Sequence, residues 1–438
     1  MKSLKHKYSL IVLCLLLLFS IAGCALRTPA PPKWTPINAS SLEGQLTLKK
    51  CLELAKNNEI KVVQWKARLD AAHAELRQSK ILPNPSLGIT WEDIGLKNEI
   101  GSSLSTVTYG ISYPIFFWWP YAEKIKAAKI NQLAEEAAVL SEQRQLEIEV
   151  ASAYFTLVAD QRKAALAEDI AKSYSELFRL AQKKSQLGDI SGFSLEQARL
   201  EMLKAESDLK NAQNTLHADR ISFTFALGAD HPFYPVLVDC GDEYLHPQGI
   251  PLDKNDLTEE DLNAALQKDP DYMEKQVAAD YAASKLRIEK MNAIPLGGTS
   301  GSGGKKDSPE GDSKTYSLEI PIPLFDRNQA GIESANAALR TAQANEEKAR
   351  RDAFAGITTK WELYRTLAWK WEQYSSHSSQ LAEKNSKAAA RLFDMGRISY
   401  SELLQSERDY KNVLMDAVDN WRELCTVSWI LSTILGKQ

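Results

Sequence analysis

Apolar positions in the first half of the chain change period twice. Over residues 47–81, Leu48, Leu52, Leu54, Ala55, Val62, Val63, Leu69 and Ala72 recur at helical spacing, which predicts one amphipathic helix. Pro83-Asn84-Pro85 stops it. The period then falls to two. Leu87, Ile89 and Trp91 alternate with Ser86, Gly88, Thr90 and Glu92. After a polar turn, Val107, Tyr109, Ile111 and Tyr113 alternate with Thr106, Thr108, Gly110 and Ser112. Alternation over about 9–11 residues is what a membrane barrel strand requires, apolar toward lipid and polar toward the lumen. A half-buried hairpin in a soluble sheet gives the same pattern. Helical spacing returns near Tyr121 and continues to Leu187 without a proline or glycine. At 1.5 Å per residue that predicts a helix about 100 Å long, far beyond what an ordinary globular domain houses. Leu133, Ala137, Leu140, Leu146, Val150, Ala153 and Leu157 mark a seam along it for neighbouring helices. Gly188 is placed to end this helix, and Ser191 or Ser194 to cap the next, which returns to about Leu227.

The second half repeats this order. Leu187-Gly188-Asp189-Ile190-Ser191 returns as Met395-Gly396-Arg397-Ile398-Ser399, and Phe225-Ala226-Leu227-Gly228 as Thr433-Ile434-Leu435-Gly436. Residues 109–114 return at 316–321, and Leu46-Thr47 at Leu257-Thr258. The offset of about 208 residues is far longer than a solenoid period, so a large unit is duplicated. The boundaries expected are a first repeat at 46–228, a linker rich in Pro, Gly and Asp at 229–256, and a second repeat at 257–438. Two strands in each repeat cannot close a barrel, and open strand edges are forbidden in lipid, so closure needs several copies. Three copies give about 12 strands, within the range of known barrels.

The first residues set the compartment. Lys2, Lys5 and Lys7 precede an apolar run at 10–22 that is too short to span a bilayer and reads as a secretory signal, residues 1–23. It ends in Ile21-Ala22-Gly23-Cys24, the pattern of a bacterial lipobox in which Cys24 is lipidated; an ordinary signal with a chance cysteine is the plainer alternative. Residues 24–45 follow as a proline-rich spacer. Beyond the signal no apolar run reaches the length of a membrane helix. A net charge of −4 gives a nucleic-acid partner no electrostatic support. The remaining mature cysteines, Cys51, Cys240 and Cys425, and the six scattered histidines show no metal-ligand spacing, and no disulfide is expected to be essential. The glycine-rich run at 297–304 is not a phosphate loop, because Thr299 and Lys306 stand where glycine and Ser/Thr are required. No cofactor and no catalytic group are expected, hence no enzyme.

On these motifs the chain resembles the TolC-like outer-membrane factors across nearly all of the mature sequence. The resemblance is carried by Leu46-Thr47-Leu48, Leu82-Pro83-Asn84-Pro85, the two Gly-x-Ile-Ser tips, and Ile322-Pro323-Leu324-Phe325-Asp326-Arg327-Asn328-Gln329. The last string is similar to the cobalt–zinc–cadmium and copper–silver efflux branch. The resemblance implies a mainly α fold with membrane β: a homotrimer whose barrel of about 12 strands continues into a periplasmic tunnel of long antiparallel helices. It also implies an outer-membrane exit duct for heavy-metal cations, served by a periplasmic adaptor and an inner-membrane pump that is often proton-driven. Drug efflux and type I secretion are the competing substrates for such a duct. By the same resemblance, Gly188, Asp189, Ile190 and Ser191 with Gly396, Arg397, Ile398 and Ser399 form the periplasmic entrance and meet the adaptor. Glu402 falls where the family places an acidic aperture residue, and Gln405 replaces the second one.

Several readings stay open at this level. The tip glycines serve as helix caps whether or not a partner binds them. Glu402 reads equally as a solvated surface carboxylate. Trp118 and Trp119 fit a membrane-interface belt, or burial where sheet meets helix. The glycines at 297–304 weaken the third strand, expected near 293–303, and 305–312 reads as an exposed outer loop. From a different class, a lipid-anchored periplasmic coiled-coil scaffold without a pore explains the helices and the anchor, but not the duplicated strands.

Overall fold

The computed structural model describes residues 45–92, 106–115, 118–229, 231, 234–247, 257–293, 298–306, 313–320 and 322–435. A two-residue strand, β1 (Gln45–Leu46), leads into α1 (Leu48–Lys56) and α2 (Glu59–Ser79). The single helix expected over 47–81 is therefore two. Asn57 ends α1, and the Asn58 side chain accepts from the N–H groups of Ile60 and Lys61, restarting the chain as α2. Asparagine offers the backbone a side-chain partner that a helix interior cannot use, so a pair of them breaks an otherwise continuous pattern.

Strands β2 (Ser86–Glu92) and β3 (Thr106–Ile115) follow, then α3 (Trp118–Gln186) and α4 (Gly192–Ala226). The 69 residues of α3 span about 100 Å. The short strand β4 (Val236–Leu237) pairs in parallel with β1. The same order then recurs: α5 (Glu259–Leu266), α6 (Pro270–Asn292), β5 (Gly298–Lys306), β6 (Ser313–Glu319), α7 (Gln329–Gln373), α8 (Ser379–Asp394) and α9 (Tyr400–Ile434). One π-helical turn, Tyr374–Ser378, separates α7 from α8. There the Ser375 and Ser376 hydroxyls both donate to the Glu372 carbonyl, competing with the helix ladder.

The main core lies midway along α3. Val150, Tyr154, Phe155, Leu157 and Val158 pack against Leu48 and Cys51 of α1, Trp361 and Leu367 of α7, and Trp421, Leu424 and Cys425 of α9. Phe155 meets the Trp421 ring edge-on at 6.3 Å. The segment between the repeats is tied to this core. Tyr154 Oη donates to the Val238 carbonyl at 2.7 Å, Trp421 Nε1 donates to the Gly241 carbonyl at 2.8 Å, and Arg162 both pairs with Asp239 and lies 3.8 Å over the Trp421 ring. Cys51 and Cys425 are buried free thiols, and burial pushes the Cys51 thiol up to about 12, far from its reactive form. Of the expected seam, Ala137, Leu146, Val150 and Leu157 are buried, whereas Leu133 and Leu140 are exposed.

The four longer strands form one antiparallel sheet in the order β2-β3-β5-β6. The glycine-rich third strand is fully formed, paired on both sides. Lys305 and Lys306, expected to open an outer loop at 305–312, belong to this strand; residues 307–312 lie outside the described set. Glycine is needed here for approach rather than flexibility: a Cβ on Gly301 would stand 2.8 Å from Ser317 Oγ.

Candidate functional site

Two regions carry the features that bear on function: the four-stranded sheet at one end of the long helices and the two hairpin tips at the other. Register places Leu87 opposite Ile111, Ile111 opposite Ser302, and Ser302 opposite Tyr316. Ile89 pairs with Tyr109 and Ser300 with Leu318. Since alternate residues share a face, these rows form one side of the sheet. That side is open to the surroundings: Leu87 is 67% exposed and Tyr316 80%. The opposite side carries Gly88, Gly110, Gly303, Ser86 and Ser112, with the two serine hydroxyls 2.7 Å apart. Small polar groups on one side and bare apolar groups on the other invert the arrangement of a soluble sheet, whose apolar side is covered. β2 and β6 are sheet edges with no partner strand among the described residues.

At the junction with the helices, Trp119 in the first turn of α3 is exposed. Trp118 opens the same turn, and its side chain lies outside what is described. No helix among the described residues is long and apolar enough to cross a membrane.

The two tips repeat each other bond for bond. At the first, Gly188 takes φ +77°, its N–H donates to the Ser185 carbonyl at 3.1 Å, and the Asp189 N–H donates to the Lys184 carbonyl at 2.9 Å. At the second, Gly396 takes φ +68°, its N–H donates to the Phe393 carbonyl at 3.0 Å, and the Arg397 N–H donates to the Leu392 carbonyl at 2.9 Å. Both are left-handed glycine caps with the paired bonds of a Schellman motif. Ser191 and Ser399 then cap the returning helices, accepting from the N–H groups of Ser194 and Glu402. Ile190 and Ile398 tuck against a second core of Tyr174, Ala181, Ala198, Phe393, Tyr400 and Leu403, while Asp189 and Arg397 stay exposed. The tips are joined, because Lys184 Nζ donates to the Phe393 carbonyl at 3.2 Å and sits 4.4 Å over that ring. Further up, Arg408 pairs with Glu201 at 2.6 Å and Lys411 with Asp208 at 2.5 Å, linking α9 to α4.

Glu402 completes a capping box. Its carboxylate accepts from the Ser399 N–H at 2.7 Å and the Ser399 hydroxyl at 2.8 Å, and these bonds hold its pKa below the usual range although it is fully exposed. Gln405 is exposed, and its amide donates to Asp409 at 2.8 Å. Sequence reasoning passed over the apolar crown of the tips: Leu187 and Met395, directly before the capping glycines, and Phe193, in the first turn of α4, are all strongly exposed. The signal was a large apolar residue directly flanking a helix-ending glycine, where water would otherwise be expected. Cys24 lies outside the described residues. No group of three or more His, Cys, Asp or Glu among the described residues could hold a metal ion.

Comparison with known proteins agrees with this geometry. The sequence pattern of the outer membrane efflux protein family matches residues 51–229 and 262–437. The cobalt-zinc-cadmium resistance protein CzcC of Cupriavidus metallidurans is 23% identical over 385 residues, covering 85% of this chain and 86% of that protein. The cation efflux system protein CusC of Escherichia coli is 23% identical over 375 residues, covering 81% of this chain and 78% of the relative. Among solved structures, CusC superposes with a TM-score of 0.75 at 20% identity, over 94% of this chain and 98% of that one. VceC from Vibrio cholerae superposes with a TM-score of 0.73 at 18% identity, over 89% and 96%. With matched residues over most of its length and the fold of these outer-membrane channels, the chain belongs to the outer membrane efflux protein family and is a passive channel component, not an enzyme.

Proposed function

We propose that three copies of this chain close into one outer-membrane duct that passes heavy-metal cations outward, delivered by an inner-membrane pump through a periplasmic adaptor. The observation that carries this is the four-stranded sheet with an uncovered apolar face and two open edges. Inside hydrocarbon an unpaired edge costs several kcal/mol for each backbone group, so β6 of one copy must pair with β2 of the next. Strand order makes that pairing antiparallel, like every other pairing in the sheet. The helices continue below the sheet as the tunnel wall, and the two tips form its entrance.

The metal assignment draws on the relatives named for cobalt, zinc and cadmium resistance and for cation efflux. A duct needs no ligand set of its own, because the pump selects the cargo. The adaptor is expected to grip the tips through Leu187, Phe193 and Met395, with Asp189 and Arg397 as charged guides. Glu402 contributes one carboxylate per copy near the entrance, and Cys24 carries a lipid that fixes the N-terminus to the outer membrane.

Purified protein in a planar bilayer is expected to conduct, and to run as a trimer by native mass spectrometry. A silent monomer would remove the duct and leave the scaffold reading. Deleting the gene is expected to lower tolerance to zinc, cobalt, cadmium or copper salts; a defect confined to drugs would remove the metal assignment. Mass spectrometry of the mature N-terminus is expected to find Cys24 diacylated or triacylated, and an unmodified start elsewhere refutes the anchor.

A further inference from the structure

The most exposed large apolar side chain among the described residues, Phe325, lies in one of two proline-punctuated segments that flank the sheet. Residues 81–85 enter β2 as Ile81-Leu82-Pro83-Asn84-Pro85, and residues 320–325 leave β6 as Ile320-Pro321-Ile322-Pro323-Leu324-Phe325. Phe325 is 90% exposed and Ile322 76%, and Ile81, Leu82, Ile320 and Leu324 are exposed as well.

Both segments are anchored at their helix ends. Gln329 Nε2 donates to the Phe325 carbonyl at 3.0 Å, the Arg327 N–H to Gln329 Oε1 at 2.8 Å, and the Asn328 N–H to Asp326 Oδ1 at 2.8 Å. Asn328 adopts φ 58°, and its amide donates to the Glu289 carbonyl at 2.9 Å and to Glu289 Oε2 at 2.6 Å, so the loop is bolted to the end of α6. On the other segment, Tyr121 Oη donates to the Lys80 carbonyl at 2.8 Å and the Ile81 N–H to the Gln78 carbonyl at 3.1 Å. A large aromatic held outward on a fixed loop is pre-organised to bury itself against something.

Strand directions say what. β2 starts at the helix side of the sheet and β6 ends there, so when β6 of one copy pairs antiparallel with β2 of the next, the residues after Glu319 run beside the residues before Ser86. Keeping the apolar face continuous requires Leu87, Ile89 and Trp91 to share a side with Tyr316 and Leu318 of the neighbour. The helix-side ends of the two strands are Ser86 and Glu319, and pairing Ser86 with Glu319 puts Leu87 beside Leu318 on the apolar face and sets 320–325 against 81–85. Prolines at 83, 85, 321 and 323 remove N–H donors from both partners, so the backbone ladder stops there and side chains must take over.

We propose that Ile322, Leu324 and Phe325 of each copy clasp Ile81 and Leu82 of the next copy, with Phe325 as the anchor, forming three equivalent apolar seals where the barrel meets the helical tunnel. The proposal rests on the trimeric reading above and names a surface that sheet closure alone does not require. The test uses full-length protein in detergent with Cys240→Ser as background, since Cys51 and Cys425 are buried. A short bismaleimide is expected to link the double variant Leu82→Cys, Phe325→Cys into dimers and trimers on a denaturing gel, and to leave each single variant unlinked. In a second arm, Phe325→Ser is expected to weaken trimer association about ten-fold or more, as loss of a buried aromatic anchor does. If native mass spectrometry finds trimer while the double variant stays unlinked and Phe325→Ser is as stable as the parent, Phe325 faces lipid and the clasp is wrong. Finding only monomer overturns the trimer itself, and the clasp with it.

Discussion

Glu402 holds its own helix start beside the second hairpin tip and is proposed to line the aperture, and one pair of substitutions separates the two roles. Glu402→Gln keeps a side chain that can reach back to the Ser399 N–H but removes the charge, whereas Glu402→Ala removes both. If the carboxylates line the aperture, both variants lose cation preference in bilayer recordings by similar amounts, and Glu402→Ala lowers thermal stability more than Glu402→Gln does. Unchanged selectivity in both would make Glu402 a cap alone. Because its pKa is depressed in the folded state, its stabilising effect is present above the ordinary Glu range and fades as pH falls through the lowered value.

Asp160 behaves oppositely. It is 9% exposed on α3, and burial first, then the neighbouring Asp219 carboxyl, push it up to about 7 against the pull of Lys163 and Arg422. An acid whose folded pKa is raised favours the fold most when protonated; that contribution is complete below about pH 4 and is lost as pH rises through about 7. Asp160→Asn is expected to flatten the melting-temperature profile across that window and to exceed the parent at pH 8. A parent profile without this slope would mean Asp160 stays charged throughout. Nothing in the linear sequence marks Asp160, because burial among other helices and the nearness of Asp219 are properties of the packed bundle.

At the scale of elements, the longest helix was legible because residues 121–187 hold no proline or glycine, and the strands of the first repeat because their period is two. The break at Asn57-Asn58 was not, since asparagine is merely indifferent within a helix and decisive only when its side chain finds a free N–H. Asn58 is also met from far along the chain: Gly228, at φ +93°, approaches it so closely that a Cβ there would stand 2.4 Å from Asn58 Nδ2. Gly228→Ala is expected to cost about 1–3 kcal/mol in denaturant melts from backbone strain and crowding. Adding Asn58→Ala should return part of that loss, so the pair is non-additive; simple addition of the two losses would show that the contact carries no strain. The glycine-rich third strand was read as weak because glycine usually is, yet close packing against Ser317 makes glycine fit at 301. The tips were legible as caps and as a repeat, whereas their exposed Leu187, Phe193 and Met395 gain meaning only once α3 and α8 are seen to end side by side.

For the whole molecule, counting strands pointed to closure by several copies before any contact was known. Which residues meet across the seams depends on strand direction and register, and those came from the sheet. The central bundle is what should hold each copy together independently of its neighbours. Trp421, fully buried between Phe155, Arg162 and the Gly241 carbonyl, is expected to cost about 3–5 kcal/mol on truncation to alanine. In that variant, loss of folded monomer and loss of trimer should coincide in calorimetry. A trimer that falls apart well before its subunits unfold would place the strength of the assembly at the seams instead.

The duplication also has an arithmetic side. A chain with a single repeat would supply two strands and one hairpin, and would need six identical copies to enclose about 12 strands. Joining two repeats halves the number of independent parts that must find one another. It also frees equivalent positions to differ: Asp189 and Arg397 occupy the same place in the two tips and carry opposite charge. A rim built from three such chains alternates in sign around its circumference, so a partner can read the rotational setting of the rim, which six identical tips would leave ambiguous.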